Sequence, residues 1–152
     1  MTRISLIATT LVIAVPALAS EGEYMQPVTH DMTKTECSEC HMVYPAGFLP
    51  QRSWTAIMTT LDDHFGENAM LDEASRAEIE TYLTRNAADA GGRSSGLLRR
   101  VTEDEIPLRI SEMPWFVSEH RGEVSSRQMD KAGSMANCAA CHRDADRGVF
   151  ED

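Results

Sequence analysis

Cys37-Ser38-Glu39-Cys40-His41 and Cys138-Ala139-Ala140-Cys141-His142 hold all 4 cysteines of the chain. Each pair leaves a two-residue gap, and each is followed at once by histidine. Cys-x-x-Cys-His is the attachment signature of haem c. Two thiols add to the two vinyl groups of the macrocycle, and the next residue on the same short turn sets an imidazole beneath the iron. Paired zinc motifs lie about 15–20 residues apart, far closer than these two. A thioredoxin-like redox site belongs to a βαβ context, and no strand–helix–strand pattern surrounds either motif. A disulfide within each motif leaves both histidines without a role. The sequence therefore predicts two covalently bound haem c groups. Cys37, Cys40, Cys138 and Cys141 form the thioethers, and His41 and His142 are the proximal iron ligands.

The N-terminus fits this chemistry, which belongs outside the cytoplasm. Residues 1–19 read as a signal peptide: Arg3 begins it, residues 4–15 are mostly apolar, and Ala17-Leu18-Ala19 predicts cleavage before Ser20. The apolar run is shorter than the roughly 20 residues a membrane anchor needs. The expected location is the bacterial periplasm. The chain has 14 Lys+Arg against 24 Asp+Glu, a net charge of −10 that becomes −11 without Arg3. Nucleic acid, whose phosphates need basic residues, is a poor partner for it. Basic patches on redox proteins are a suitable one.

Each iron has a second axial position. The chain has 5 histidines, so His30, His64 and His120 remain as candidates, with methionine as the competing ligand. A short helix is expected over 31–41. Ser53 is expected to cap a helix through Trp54, Ile57, Met58 and Leu61 that stops near His64-Phe65-Gly66. Asp72 is expected to cap a third, with Ala74, Ile79, Tyr82 and Leu83 facing inward. This order is similar to a class I cytochrome c, where the distal ligand is usually a methionine shortly before the last helix. Met70 occupies that place and His64 lies six residues earlier, so the local pattern leaves both open. In the second half Pro114 suits the first turn of a helix, and Trp115 and Phe116 suit haem packing. His120 is the economical distal ligand there, with Met129 and Met135 as competitors. His30 sits in the polar approach to the first motif and reads as solvent-exposed. Each proximal imidazole is expected to donate its other nitrogen proton to a backbone carbonyl, with Pro50 as the candidate for the first.

Three stretches carry a family resemblance. They are residues 36–54 around the first motif, Leu61-Asp62-Asp63-His64-Phe65-Gly66-Glu67-Asn68, and Pro114-Trp115 with Glu119-His120-Arg121 ahead of Asn137 and the second motif. Together they resemble the dihaem cytochrome c (DHC) family over essentially the whole mature chain. The resemblance implies a class I-like N-terminal half and a less regular C-terminal half. It implies bis-histidine ligation, His41 with His64 and His142 with His120, which favours His64 over Met70. It also implies low potentials, a monohaem oxygen-binding cytochrome (sphaeroides haem protein) as electron acceptor, and a membrane cytochrome b as donor.

The expected fold is mainly α, with a signal peptide over 1–19 and haem domains over 20–90 and 91–152. Residues 86–96, rich in small and polar residues, read as an exposed connection. Each half is near the size where a core alone is marginal, so covalent haem is expected to be needed for folding. Arg99 and Arg100 are candidates for haem propionates, and the acidic tail around Phe150 reads as a solvated end. The expected function is electron transfer without catalysis. The alternatives are a haem enzyme (peroxidase or small-gas reductase) or a gas sensor, and both need an open iron site.

Overall fold

The computed structural model describes residues 24–151, so the expected signal peptide and its cleavage site lie outside the described residues. The chain is mainly helical. Five α-helices run in order: α1 Asp31–Cys37, α2 Gln51–Thr59, α3 Glu73–Arg85, α4 Pro114–Glu119 and α5 Ser126–Ala132. Short 3-10 turns join them, and the only strand-like pairings among the described residues are two isolated bridges, Tyr24 with Val149 and His64 with Glu67.

Helix α1 is shorter than expected. It ends at Cys37, and Cys40 and His41 follow in a turn. His30 caps its N-terminus, with Nδ1 accepting from the Thr33 amide at 3.4 Å. Helix α2 starts ahead of Ser53. Pro50 is its cap, and the Pro50 carbonyl accepts from the amides of Ser53 and Trp54 at 3.0 and 3.3 Å. A remote carboxylate satisfies one of the amides a helix leaves open at its start: Asp89 Oδ1 accepts from Gln51 N at 2.7 Å. Ser53 is instead fully buried inside the helix. Helix α3 is capped by Asp72, whose carboxylate accepts from Ala74 N and Ser75 N, each at 3.1 Å. Ile79 and Leu83 face inward and Tyr82 packs beside them, but Ala74 is exposed. Pro114 opens α4, and a capping box of Ser125 and Gln128 opens α5.

One core holds both halves. α2 packs on α3 through Trp54, Ile57, Met58, Ile79 and Leu83, and the same cluster takes in Met113 and Phe116 from the second half. The expected exposed connection is not free of the core. Ala87 and Ala88 are buried, and Ala88 N donates to Leu49 O at 2.9 Å. Arg52 adds a tie, with Nη2 donating to Thr102 O at 2.8 Å and Nη1 lying 3.6 Å from Asp89 Oδ2. At the chain ends Met25 N donates to Gly148 O at 2.7 Å, which lays residues 24–27 against the C-terminal segment.

Candidate haem sites

The first site grows from the two ends of the N-terminal half. His41 follows α1, and its Nδ1 donates to the Met42 carbonyl at 2.7 Å. The expected carbonyl of Pro50 is engaged by the start of α2 instead. This bond to Met42 fixes the ring and leaves Nε2 as the free donor of an electron pair. His64 comes from a tight turn after α2. Its amide donates to Glu67 O at 2.7 Å and its carbonyl accepts from Glu67 N at 3.2 Å. The central residues Phe65 and Gly66 have φ of 56° and 101°, both in the left-handed region. A type I′ turn needs this of both. Glycine adopts it freely, whereas Phe65 does so against its steric preference. The Arg109 guanidinium lies 4.2 Å over the Phe65 ring and so braces the turn from the other half.

The imidazoles of His41 and His64 face each other with ring centres 6.2 Å apart and planes at 28°. In the second site His120 and His142 have centres 6.1 Å apart and planes at 87°. His120 ends α4. Its ring stacks on Phe116 at 3.9 Å, and Nδ1 donates to Phe116 O at 2.9 Å, which leaves Nε2 as the ligating nitrogen. His142 follows a 3-10 turn over Cys138–Ala140, where His142 N donates to Cys138 O at 2.8 Å.

These spacings test whether an iron fits. A metal–imidazole bond is about 2 Å, and the ring nitrogen lies about 1.1 Å from the ring centre, so two imidazoles on opposite sides of one metal have centres about 6.2 Å apart. Both pairs meet that figure. Apolar groups stand ready for a macrocycle as well. A cleft of about 370 Å³ beside His64 is lined by Ile57, Phe65 and Leu108. Phe65 and Leu108 are 45% and 41% exposed, an exposure that a flat apolar ring would remove. Burial holds the His64 imidazole below its ordinary pKa, with His41 and Arg109 adding to the effect, so the neutral, metal-binding form prevails.

No disulfide joins any of the four cysteines. Burial pushes Cys37 up to about 11, helped by Glu36, and burial also raises Cys138. Among the described residues no group of three or more His, Cys, Asp or Glu is placed to hold a bare metal ion.

The remaining candidates lie elsewhere. Met70 is 63% exposed. His30 is not an open surface group as expected. Its Nε2 meets Glu78 Oε1 at 3.0 Å, its Nδ1 meets Thr33 Oγ1 at 2.9 Å, and its ring stacks on Tyr82. Arg99 and Arg100 are exposed. The tail is not simply solvated, because Phe150 packs edge-on against His142 at 5.7 Å and against the buried Phe48 at 5.3 Å. Tyr44 is a residue that motif reading passes over. Its ring stacks on His41 with centres 4.8 Å apart, and its hydroxyl donates to Ala136 O at 2.8 Å. Burial, with Cys138 nearby, pushes its phenol up to about 12, so it remains a donor. The signal for it was its place three residues beyond His41.

Comparison with known proteins identifies a family. The dihaem cytochrome c family matches residues 33–150. A dihaem cytochrome c from Rhodobacter sphaeroides has a similar structure, with a TM-score of 0.79 and 58% identity over 82% of this chain and 99% of that one. A second structure of the protein from that organism gives 0.70 at the same identity and coverage. A dihaem cytochrome c from Shewanella baltica OS155 gives 0.63 with 36% identity, over 79% of this chain and 85% of that one. Comparison with curated proteins finds no match. With its paired motifs, its helical fold and these relatives, the chain belongs to the dihaem cytochrome c family and is an electron-transfer haem protein.

Proposed function

We propose that the protein is a periplasmic electron carrier whose two haems are both closed by histidine on each side. Cys37, Cys40 and His41 would hold the first haem with His64 opposite. Cys138, Cys141 and His142 would hold the second with His120 opposite. The observation that carries the reading is the pair of imidazole ring-centre separations, 6.2 and 6.1 Å, each matching the spacing of two imidazoles on one iron. When bound, haem iron supplies a one-electron couple, with imidazole ligation setting a lower potential than methionine would. The chain's residues do the rest. Met42 O and Phe116 O orient His41 and His120, and the apolar groups beside His64 would lie against the macrocycle. With both axial positions filled, no site remains for a substrate, which supports transfer over catalysis or gas sensing.

The export pattern in residues 1–19 supports a periplasmic location. The net charge of −10 supports docking on basic faces of redox partners. A membrane cytochrome b upstream and an oxygen-binding monohaem cytochrome downstream fit the carrier role. No helix among the described residues is long and apolar enough to cross a membrane. Paramagnetic resonance of the oxidised protein tests the ligation. Two low-spin signals are expected, one rhombic from the pair at 28° and one strongly anisotropic from the pair at 87°. A high-spin signal, a far-red sulfur-to-iron absorption band or rapid carbon monoxide binding to either reduced haem would refute closed bis-histidine ligation.

A further inference from the structure

We propose that Tyr44 is a positioning residue that couples the two haem sites. Its ring lies parallel to the imidazole of His41, with centres 4.8 Å apart and planes at 19°. Its hydroxyl donates to the carbonyl of Ala136 at 2.8 Å, across 92 residues of sequence. Ala136 stands two residues ahead of Cys138, the first thioether position of the second site. One rigid side chain thus touches the proximal ligand of one haem and the backbone that presents the other.

Few hydrogen bonds compete with this one. Residues 133–141 bond mainly to themselves: Asn137 N to Ser134 O, Ala140 N to Asn137 O, and the Asn137 side chain to Ala132 O. Among the described residues, the Tyr44 bond is the only hydrogen bond from 133–141 to the first half. Met135 also packs against the shared core, so the Tyr44 bond is the polar tie that sets how the thioether-bearing turn, where Cys141 is exposed, meets the first site. The placement of this turn against the first site therefore depends in part on Tyr44, and with it the relation the two haems would have when bound. The stacked phenol ring also restricts rotation of the His41 imidazole, and the Met42 carbonyl restrains the ring's edge, so together they would set its orientation toward a bound haem.

The inference rests on the haem reading above. The experiment uses the haem-loaded protein and its Tyr44→Phe variant, which keeps the stacked ring and removes only the hydroxyl. Circular dichroism in the Soret region reports the exciton couplet between the haems, whose amplitude follows their separation and relative orientation. Losing one hydrogen bond shifts the balance between the docked and loosened turn by about fivefold. The couplet is expected to weaken, with absorption spectra and haem count unchanged. Tyr44→Leu, which also removes the stacking, is expected to weaken it further and to move the midpoint potential of the first haem. A wild-type protein with fewer than two haems overturns both readings. Two haems with an unchanged couplet and unchanged potentials in both variants overturn the Tyr44 assignment alone. A crystal structure of the loaded wild-type protein with the Tyr44 hydroxyl out of reach of Ala136 O overturns it without any variant.

Discussion

Replacing Gly148 with alanine is expected to loosen the C-terminal segment that backs the second haem site. Gly148 has φ of +79°, and a Cβ built on it would lie 1.8 Å from the backbone oxygen of Met25 and 3.3 Å from Pro27. The collision is with main chain, so no rotamer relieves it. The left-handed conformation alone costs an alanine roughly 1–2 kcal/mol. Moving Met25 away also breaks the bond from its amide to Gly148 O, worth about 1 kcal/mol. Together these give a loss of about 2–3 kcal/mol, or roughly 10 °C in Tm for a chain of this size. If the strap detaches, the Met25 side chain, now 7% exposed, loses its burial as well. Gly133→Ala is the control. Its φ of +73° is similar, but nothing lies within 4 Å of the added carbon, so only the conformational cost applies. Urea titration of the haem-loaded protein, followed by far-ultraviolet circular dichroism, measures both. Phe150 touches His142, so the Soret spectrum of the second haem should respond more than that of the first. A Gly148→Ala protein within about 0.5 kcal/mol of wild type, or no less stable than Gly133→Ala, would refute the reasoning.

Other perturbations address the sites directly. His64→Ala and His120→Ala should each open one haem, so that the reduced protein binds carbon monoxide at one iron and not the other. His30→Ala should open neither, and should cost about 1 kcal/mol in a denaturant titration through loss of the α1 cap. Hydrogen bonds from the Ser75 hydroxyl and amide, and from the Ala74 amide, hold the Asp72 carboxyl below its ordinary value of 3.8. The charged form is favoured in the fold, so its contribution is full above pH 3.8 and is lost as pH falls through the lowered folded value. Urea midpoints of wild type and Asp72→Ala should therefore differ at pH 7 and converge in strong acid. A quadruple Cys→Ala variant without haem should lack cooperative unfolding by circular dichroism, and a sharp two-state transition would contradict that.

Local chemistry was legible in the sequence, and remote chemistry was not. Asp72 announced α3 because a cap acts within three residues of itself. Ser53 looked like the same signal, but Pro50 starts the helix and Asp89, 38 residues away, satisfies Gln51 N. Residues 86–96 have a linker's composition, yet Ala87 and Ala88 are small enough to close against Leu49. Composition records size and polarity, and it cannot record that a complementary surface exists. The motif histidines stood out because covalent attachment fixes their spacing. The carbonyl that orients His41 did not, because Met42 and Pro50 are equally good acceptors until the chain is folded. The acidic tail hid Phe150 for the same reason: its partners Phe48 and His142 are brought to it only by the fold.

The shared core has a consequence for assembly. His120 stacks on Phe116, a member of that core, and His64 follows the short turn after Leu61, another member. The cysteine-bearing turns lie outside it. The chain thus divides its labour between peripheral turns that carry the cysteines and a central latch that carries both opposing imidazoles. Closing the latch on one iron means packing the same side chains that close it on the other. The two metal centres are expected to mature as a single commitment, and a half-loaded chain should be a substrate for proteolysis, not a working intermediate.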